Sequence, residues 1–438
     1  MDGVKDNADR IMPDTTATNE ARSTAMQVEK PASIFDIAIA GGSHAGLALG
    51  LALARLLGPD LRVAIVERAD PAARLQQAAD PRAFAIAAGS RNLLAAIGVW
   101  PALASGAEPV RTIEITDSSL ANAIRPVLLT YDNHIAPGEP ATFIVEAEAA
   151  RRALLAAALA EPCITFLAPA GLESFDVRPS GVVLRLANGE RLRANLLVAA
   201  DGAKSPTRNA AGIRTLDWST GQVGLVTTVA HARPHSGLAV QHFLPAGPFA
   251  MLPLTGNRSC VTWTEAADRG REIMGLDDPG FLAEVEQRFG FKLGAIELAG
   301  PRALWPLEFH LARAIAGTRI ALVGDAVRSV HPLAGQGLNL AFRDVAALAE
   351  VVADAMRLGL DPGDAVALER YERWRRFDSH GAAAAFGALN TLFSNDSTLI
   401  RAVRGAGLGV VDRLDGVKQL LVTEAAGLTG DVPKLMQG

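Results

Sequence analysis

Cysteine is nearly absent. The 438 residues hold two, Cys163 and Cys260, 97 positions apart and with no CxxC or Cys/His ladder around either. Neither a stapled scaffold nor a zinc site is expected, and a reducing cytoplasm fits best. Basic excess is absent too: 42 Lys and Arg stand against 47 Asp and Glu, a net charge of −5. That balance gives no general field for gripping a phosphate backbone, so nucleic acid is not an expected partner. No apolar run reaches the ~20 residues a bilayer demands. The most apolar stretch, Leu47 to Leu57, has 11 residues and includes Arg55. Residues 1–33 lack the continuous apolar core of a secretory signal and read as a disordered leader, with Met26 an alternative start. What is present is a globular composition leaning apolar, 49% hydrophobic and 20% charged, long enough at about 150 residues per domain for two to three domains.

The fold first shows at residues 34–40, IFDIAIA, a β-branched apolar run of the kind buried on both faces of a parallel sheet. It enters Gly41-Gly42-Ser43-His44-Ala45-Gly46, then an apolar helix stopped by Gly58-Pro59, then a second strand at Leu61 to Val66. This βαβ unit ends in Glu67, 21 residues past Gly46, where a carboxylate can accept both hydroxyls of an adenosine ribose. Gly41 permits the tight turn and Gly46 the close packing of helix and strand, while the helix N-terminus offers free N–H groups to a pyrophosphate. A dinucleotide is the expected ligand, against the alternative of a merely tight turn. The middle glycine of G-x-G-x-x-G is replaced by Ser43.

Two later segments repeat the strand-to-loop logic. Arg193 to Arg208 delivers Asp201-Gly202 at a strand's carboxyl end, and Arg319 to Asp344 delivers Gly324-Asp325 followed by a glycine-rich loop and a helix. In open α/β sheets ligands gather at such ends, which favours a ligand role for both acids over simple capping of the turns that follow.

The GGSHAG loop, VAADGAKSPTR and GDAVRSVHPLAGQGLNLAFRDV, in this order, resemble the single-component flavoprotein aromatic hydroxylases of the para-hydroxybenzoate hydroxylase fold. HPLAGQGLNLAFRDV, with YERWRRFD and LNTLFS downstream, resembles the ubiquinone-biosynthesis hydroxylases among them. The match runs from about Ile34 to Leu420. The resemblance implies an α/β fold: a Rossmann-like FAD-binding domain of the glutathione-reductase type, with an inserted, mostly antiparallel β-sheet substrate domain and C-terminal helices. Residues 34–115, 145–214 and 316–380 would form the first, 116–144 and 215–315 the second, and 381–438 the helical region.

The resemblance also implies site residues. Gly41, Gly42, Ser43, Ala45, Gly46 and Glu67 would surround the AMP half of FAD, and Asp325 would hold the ribityl chain. Pro332, Gly335, Gln336, Gly337, Leu338 and Asn339 would face the flavin's pyrimidine edge with backbone N–H groups. Arg82 and Glu146 would lie beside the cofactor, and Asp201-Gly202 would serve both FAD and NAD(P)H. For Arg82 a surface ion pair is the plain alternative, and for Glu146 a solvated acid at a helix start. His331 either acts in catalysis or only bonds its turn. Arg328 stands where the family commonly has histidine, so that histidine's role does not transfer; the arginine meets a phosphate or an acidic partner, or lies at the surface.

The implied reaction is hydroxylation of an aromatic ring with NAD(P)H and O2 through a flavin C4a-hydroperoxide. Consistently, no Ser/His/acid constellation stands out, and excluding water is the main demand on the protein. Alternating strands between about 215 and 315 suggest an antiparallel sheet over the flavin, with Phe243, Met251, Pro253 and Trp263 as candidate pocket walls or ordinary core. Leu392 to Leu421 interleaves apolar positions with Arg401, Arg404, Arg413 and Lys418, which suits an anionic membrane, a packed helix or a partner protein of the same pathway. A polyprenyl phenol is the first-choice substrate. A soluble aromatic on the same fold, or a flavin-binding assembly subunit without turnover, are the alternatives.

Overall fold

The structure is a computed structural model, and it describes residues 33–71, 80–117, 120, 127–329, 336–376 and 415–438. Residues 1–32 of the expected leader, Pro332, Gly335, His331 and most of the basic 392–421 stretch lie outside the described residues, while Ser33, placed at the leader's end, begins the first strand.

Two sheets carry the chain. The strand Ser33–Ala40 is nearly inaccessible from Ile37 onward, as its apolar sequence requires. It pairs in parallel with Val63–Val66 on one side and with Arg191–Ala199 on the other, and Ile164–Leu167 extends the sheet beyond Val63–Val66. The far edge of Arg191–Ala199 is shared: its first half takes antiparallel Gly181–Leu186, its last residues take parallel Ile320–Leu322. Helix His44–Leu57 packs on this sheet and against the 21-residue helix Gly337–Arg357. The first helix comes close because Gly50 leaves room for Ile65, whose Cδ1 lies 2.9 Å from where a Cβ would be.

The second sheet is antiparallel apart from one pair. Its order runs Arg328–Ser329, Ala303–Ala312, Thr215–His231, Arg258–Ala266, Gly247–Leu254, Leu238–Leu244, Thr112–Asp117, Val127–Asp132, and only Leu238–Leu244 with Thr112–Asp117 is parallel. Its two faces differ. One buries Val223, Leu225, Phe249, Met251, Val261 and Trp263 against helices Ala267–Met274 and Asp278–Phe289. The other carries the intervening residues, among them Ala250, Leu252, Cys260 and Thr262. Period-two alternation sets this division, since neighbours on a strand point to opposite faces.

Met251 and Trp263, expected as pocket walls, therefore sit on the wrong face. Trp263 is buried between Phe249 and Phe281, with ring centroids 6.0 and 5.6 Å away. Pro253 shares that phase and does not line the cavity; of the four candidates only Phe243 does. The largest apolar side chains were drawn to the face that meets two helices, where burial area is greatest.

No helix among the described residues is long and apolar enough to cross a membrane. Both cysteines are free and buried; burial pushes the Cys260 thiol up to about 12.

Candidate active site

A cavity of about 960 Å³ opens where the parallel strands end. Ala40, Val66, Ala200 and Val323, at or just past the carboxyl ends of four parallel strands, all line it. That is the place where side chains and loops are free of the sheet's hydrogen bonding and can take a ligand.

The glycine loop forms one wall. Gly41 has φ +111°, and a Cβ there would lie 2.4 Å from the Ala200 carbonyl oxygen. Gly46 sits closer still: its Cβ would lie 1.9 Å from the Gly41 carbonyl oxygen. Ser43 is the N-cap residue of the first helix and makes no capping bond; its hydroxyl lies 3.3 Å from His44 Nδ1. His44 Nε2–H donates to the Ala147 carbonyl at 3.1 Å, so the histidine fixes the loop to a neighbouring helix start. Glu67 accepts the Gly42 N–H at 2.8 Å with one oxygen and the Ala69 N–H at 2.8 Å with the other. It thus ties the loop to the second strand and still lines the cavity. Gly41, Ser43, Ala45 and Glu67 reach the lining, while Gly42 and Gly46 shape it from behind.

The two acids differ sharply. Asp201 is engaged: it accepts from the Ser205 hydroxyl and from the Thr207 N–H at 3.0 Å, capping the short helix Pro206–Ala210. Gly202, at φ +88°, lines the cavity beside it. Asp325 is not engaged; among the described residues no donor bonds its carboxylate. The side chain is walled in by protein yet open to the cavity, and this burial raises its carboxyl above the ordinary range, partly offset by the charges of His310, Arg82 and Arg328. A carboxylate that no protein donor bonds and that opens into the cavity at the end of a parallel strand fits a ligand that brings hydroxyl groups.

Opposite Asp325, the long helix presents its N-terminus. Gln336, Gly337 and Leu338 line the cavity, so two helix N-termini, each with a partial positive charge, converge on one space. Asn339 does not line it. Its amide donates to Ala85 O at 2.8 Å and its oxygen accepts the Ala87 N–H at 3.0 Å, pinning the strand Ala83–Ala87 to the helix start.

Arg82 lines the cavity and is also an ion-pair residue, 2.5 Å from Asp80, with its guanidinium 5.1 Å above the Trp305 ring. Glu146 is not brought to the cavity. It stands at the start of helix Ala147–Ala160 and pairs with Arg258 at 3.0 Å. Residue types without a motif supplied the remaining walls: Ile113 and Ile115, Leu129 and Tyr131, Gln241 and Phe243, Ala250 and Leu252, each pair two residues apart on its strand. Lys418, Val422 and Ala425 of the helix Asp415–Ala425 close one side.

Arg328 is neither at the surface nor in the cavity. It is buried and pairs with Asp344 at 3.0 Å, inside the core.

Sequence comparison decides the family. A family model described as an FAD binding domain matches residues 35–380. Ubiquinone hydroxylase UbiL of Rhodospirillum rubrum is 40% identical over 92% of this chain and 93% of its own. The 3-demethoxyubiquinol 3-hydroxylase of Escherichia coli is 32% identical over 90% of this chain and 98% of its own.

The chain belongs to the FAD-dependent hydroxylase family of ubiquinone biosynthesis.

It is an FAD-dependent monooxygenase, and the fold agrees. PqsL of Pseudomonas aeruginosa, described as a probable FAD-dependent monooxygenase, superposes with a TM-score of 0.71 at 22% identity, covering 86% of this chain and 99% of that one. The residues present fit the cofactor: a carboxylate open to the cavity that could accept ribityl hydroxyls, and two helix N-termini that could meet anionic groups.

This hydroxylase buries three histidines against their ordinary protonation. His44, His231 and His310 all have their pKa values lowered from 6.5, in each case chiefly by burial. The folded state binds those protons less readily than the unfolded chain, so the stability they contribute is full above about pH 6.5 and is lost as pH falls below it. The apoprotein's melting temperature is expected to fall between about pH 7.5 and about pH 5.5 in calorimetry. A flat or rising profile would contradict that assignment.

Proposed function

We propose that this enzyme hydroxylates the aromatic ring of a polyprenylated phenol, using NAD(P)H and O2, on the route to ubiquinone. One observation carries the reading: the cavity that begins at Asp325 and the glycine loop continues along an apolar sheet face. Among the described residues, the second sheet contributes no charged side chain to that lining; its polar contributions are groups such as Tyr131, Gln241 and Thr262. A soluble, charged aromatic would call for a fixed counter-charge there, whereas a prenyl chain gains about 0.8 kcal/mol for each buried methylene. Two relatives are named a ubiquinone hydroxylase and a 3-demethoxyubiquinol 3-hydroxylase, which supports a ring bearing such a chain.

Bound FAD supplies the redox and oxygen chemistry. The protein's own residues bind, orient and dry the site. Asp325 would hold the ribityl chain, the Gly41 to Ala45 loop and Glu67 the adenosine half, and Gln336 to Leu338 the flavin's pyrimidine edge. The N-terminal dipole of helix Gly337–Arg357 favours negative charge at that edge. Leu252, Phe243, Ile115 and Val422 would exclude water from the reacting ring.

The test compares a polyprenylphenol with the same phenol lacking its chain, following NAD(P)H oxidation and product mass with FAD-loaded enzyme. The prenylated compound is expected to be favoured in kcat/KM by about tenfold or more. Equal turnover of both would support a soluble aromatic substrate instead. NAD(P)H that is never consumed would support a binding subunit.

A further inference from the structure

The turn that carries Asp325 is held by its backbone to an unusual degree. Tyr371 Oη–H donates to Leu322 O at 2.7 Å. The Gly324 N–H donates to Asp344 Oδ2 at 3.2 Å. His310 Nε2–H donates to Asp325 O at 2.7 Å, and Arg208 Nη1–H to Ala326 O at 3.0 Å. Four side chains from four separate parts of the chain thus fix four groups within five residues. All four are buried.

Asp344 is the centre of this arrangement. Its carboxylate is fully buried, and besides the Gly324 N–H it accepts from Arg375 Nε at 2.8 Å and Arg328 Nη2 at 3.0 Å. Arg328 also donates to Leu340 O at 3.3 Å, on the same helix as Asp344. A buried carboxylate needs partners for its charge and lone pairs, and the two arginines supply them while fixing Asp344 as an acceptor for the Gly324 N–H. Gly324, at φ +64°, makes the sharp turn from which Asp325 enters the cavity.

We infer that Asp344, with Arg328 and Arg375, is a positioning cluster that holds the Gly324-Asp325 turn in the shape that accepts FAD. None of the three side chains lines the cavity, so the cluster would act through the turn. The inference rests on Asp325 being an FAD-holding residue.

Its test is FAD affinity, measured by flavin fluorescence quenching on the apoprotein. Asp344→Asn is the direct variant, but it leaves two buried arginines without their counter-charge and destabilises the fold, so milder changes are decisive. Arg328→Met and Tyr371→Phe are each expected to raise the FAD Kd by about tenfold, the equivalent of one buried hydrogen bond or charge-assisted contact. Arg328→Lys, which keeps the charge, is expected to stay within about threefold of wild type. Val285→Ala, in the core beneath the second sheet, serves as the control: it lowers the melting temperature but leaves Kd within about twofold. The inference is overturned if Arg328→Met and Tyr371→Phe leave Kd unchanged, or if Kd follows melting temperature in Val285→Ala as well. Wild-type apoprotein that does not rebind FAD would instead overturn the reading of Asp325 on which the inference rests.

Discussion

Asp325→Asn is expected to give an apoprotein at least as stable as wild type that binds FAD on the order of a hundredfold more weakly. Both halves come from one fact. Burial raises the Asp325 carboxyl above its ordinary range, so the ionised form is less comfortable in the folded apoprotein than in the unfolded chain. A carboxyl raised in the fold costs stability as pH climbs from the ordinary carboxylate range toward its raised value. Asparagine removes that cost. It also removes the charge that strengthens hydrogen bonds from ribityl hydroxyls, each worth roughly 1.5 to 3 kcal/mol when the acceptor is ionised. Calorimetry of the apoprotein and fluorescence titration with FAD read the two effects separately. An unchanged Kd would remove Asp325 from the cofactor site, and a lower melting temperature would remove the strain argument.

Gly46→Ala is expected to destabilise the fold by about 3 kcal/mol or more and to abolish FAD retention. The added methyl would lie 1.9 Å from the Gly41 carbonyl oxygen, a backbone atom that cannot swing aside. Gly41 is itself confined by Ala200, whose carbonyl oxygen lies 2.4 Å from where its own Cβ would be. Helix, loop and the strand Arg191–Ala199 therefore have to separate together, and the loop lines the cavity proposed to hold FAD. Gly106→Ala is the comparison: nothing lies within 4 Å of a Cβ there, and its cost is expected to stay within about 0.5 kcal/mol. Denaturant melts of both variants, with flavin content after purification, check the pair. Similar behaviour of the two would mean that the close contact is not what makes Gly46 necessary.

The sequence made the first sheet legible because its strands are buried on both faces and its turns need glycine. The run 34–40, the loop at 41–46 and the acid at 67 lie in the structure as a strand, a helix start and a strand end around one cavity. The second sheet was legible as strands but not as faces. Where both faces are covered, Val261 and Trp263 look as suitable for a pocket as Cys260 and Thr262, and only the position of helices Ala267–Met274 and Asp278–Phe289 separates them. Glu146 illustrates the same limit at a helix start, where an acid that pairs with Arg258 and one that faces a cofactor have the same local sequence. Arg328 was legible as a departure but not as a core cation, because its partner Asp344 is 16 positions away, beyond a loop and about two helical turns, and nothing local marks the pairing. Arg208 and Tyr371 stood inside quoted motifs, VAADGAKSPTR and YERWRRFD, and His310 in none, but no local pattern marked what any of the three would bond. Each acts on a backbone group of the Asp325 turn, and such contacts depend on the fold rather than on spacing.

The central claim is that FAD in this cavity transfers oxygen from O2 to an aromatic ring. The most direct test is a single-turnover or steady-state reaction of the FAD-loaded enzyme with a polyprenylphenol and NAD(P)H under ¹⁸O2, followed by mass spectrometry of the ring product. One ¹⁸O atom in the new hydroxyl, with none arising from labelled water, is the predicted result. Flavin reduced by NAD(P)H and reoxidised with an unaltered phenol, or a product whose oxygen comes from water, would contradict it.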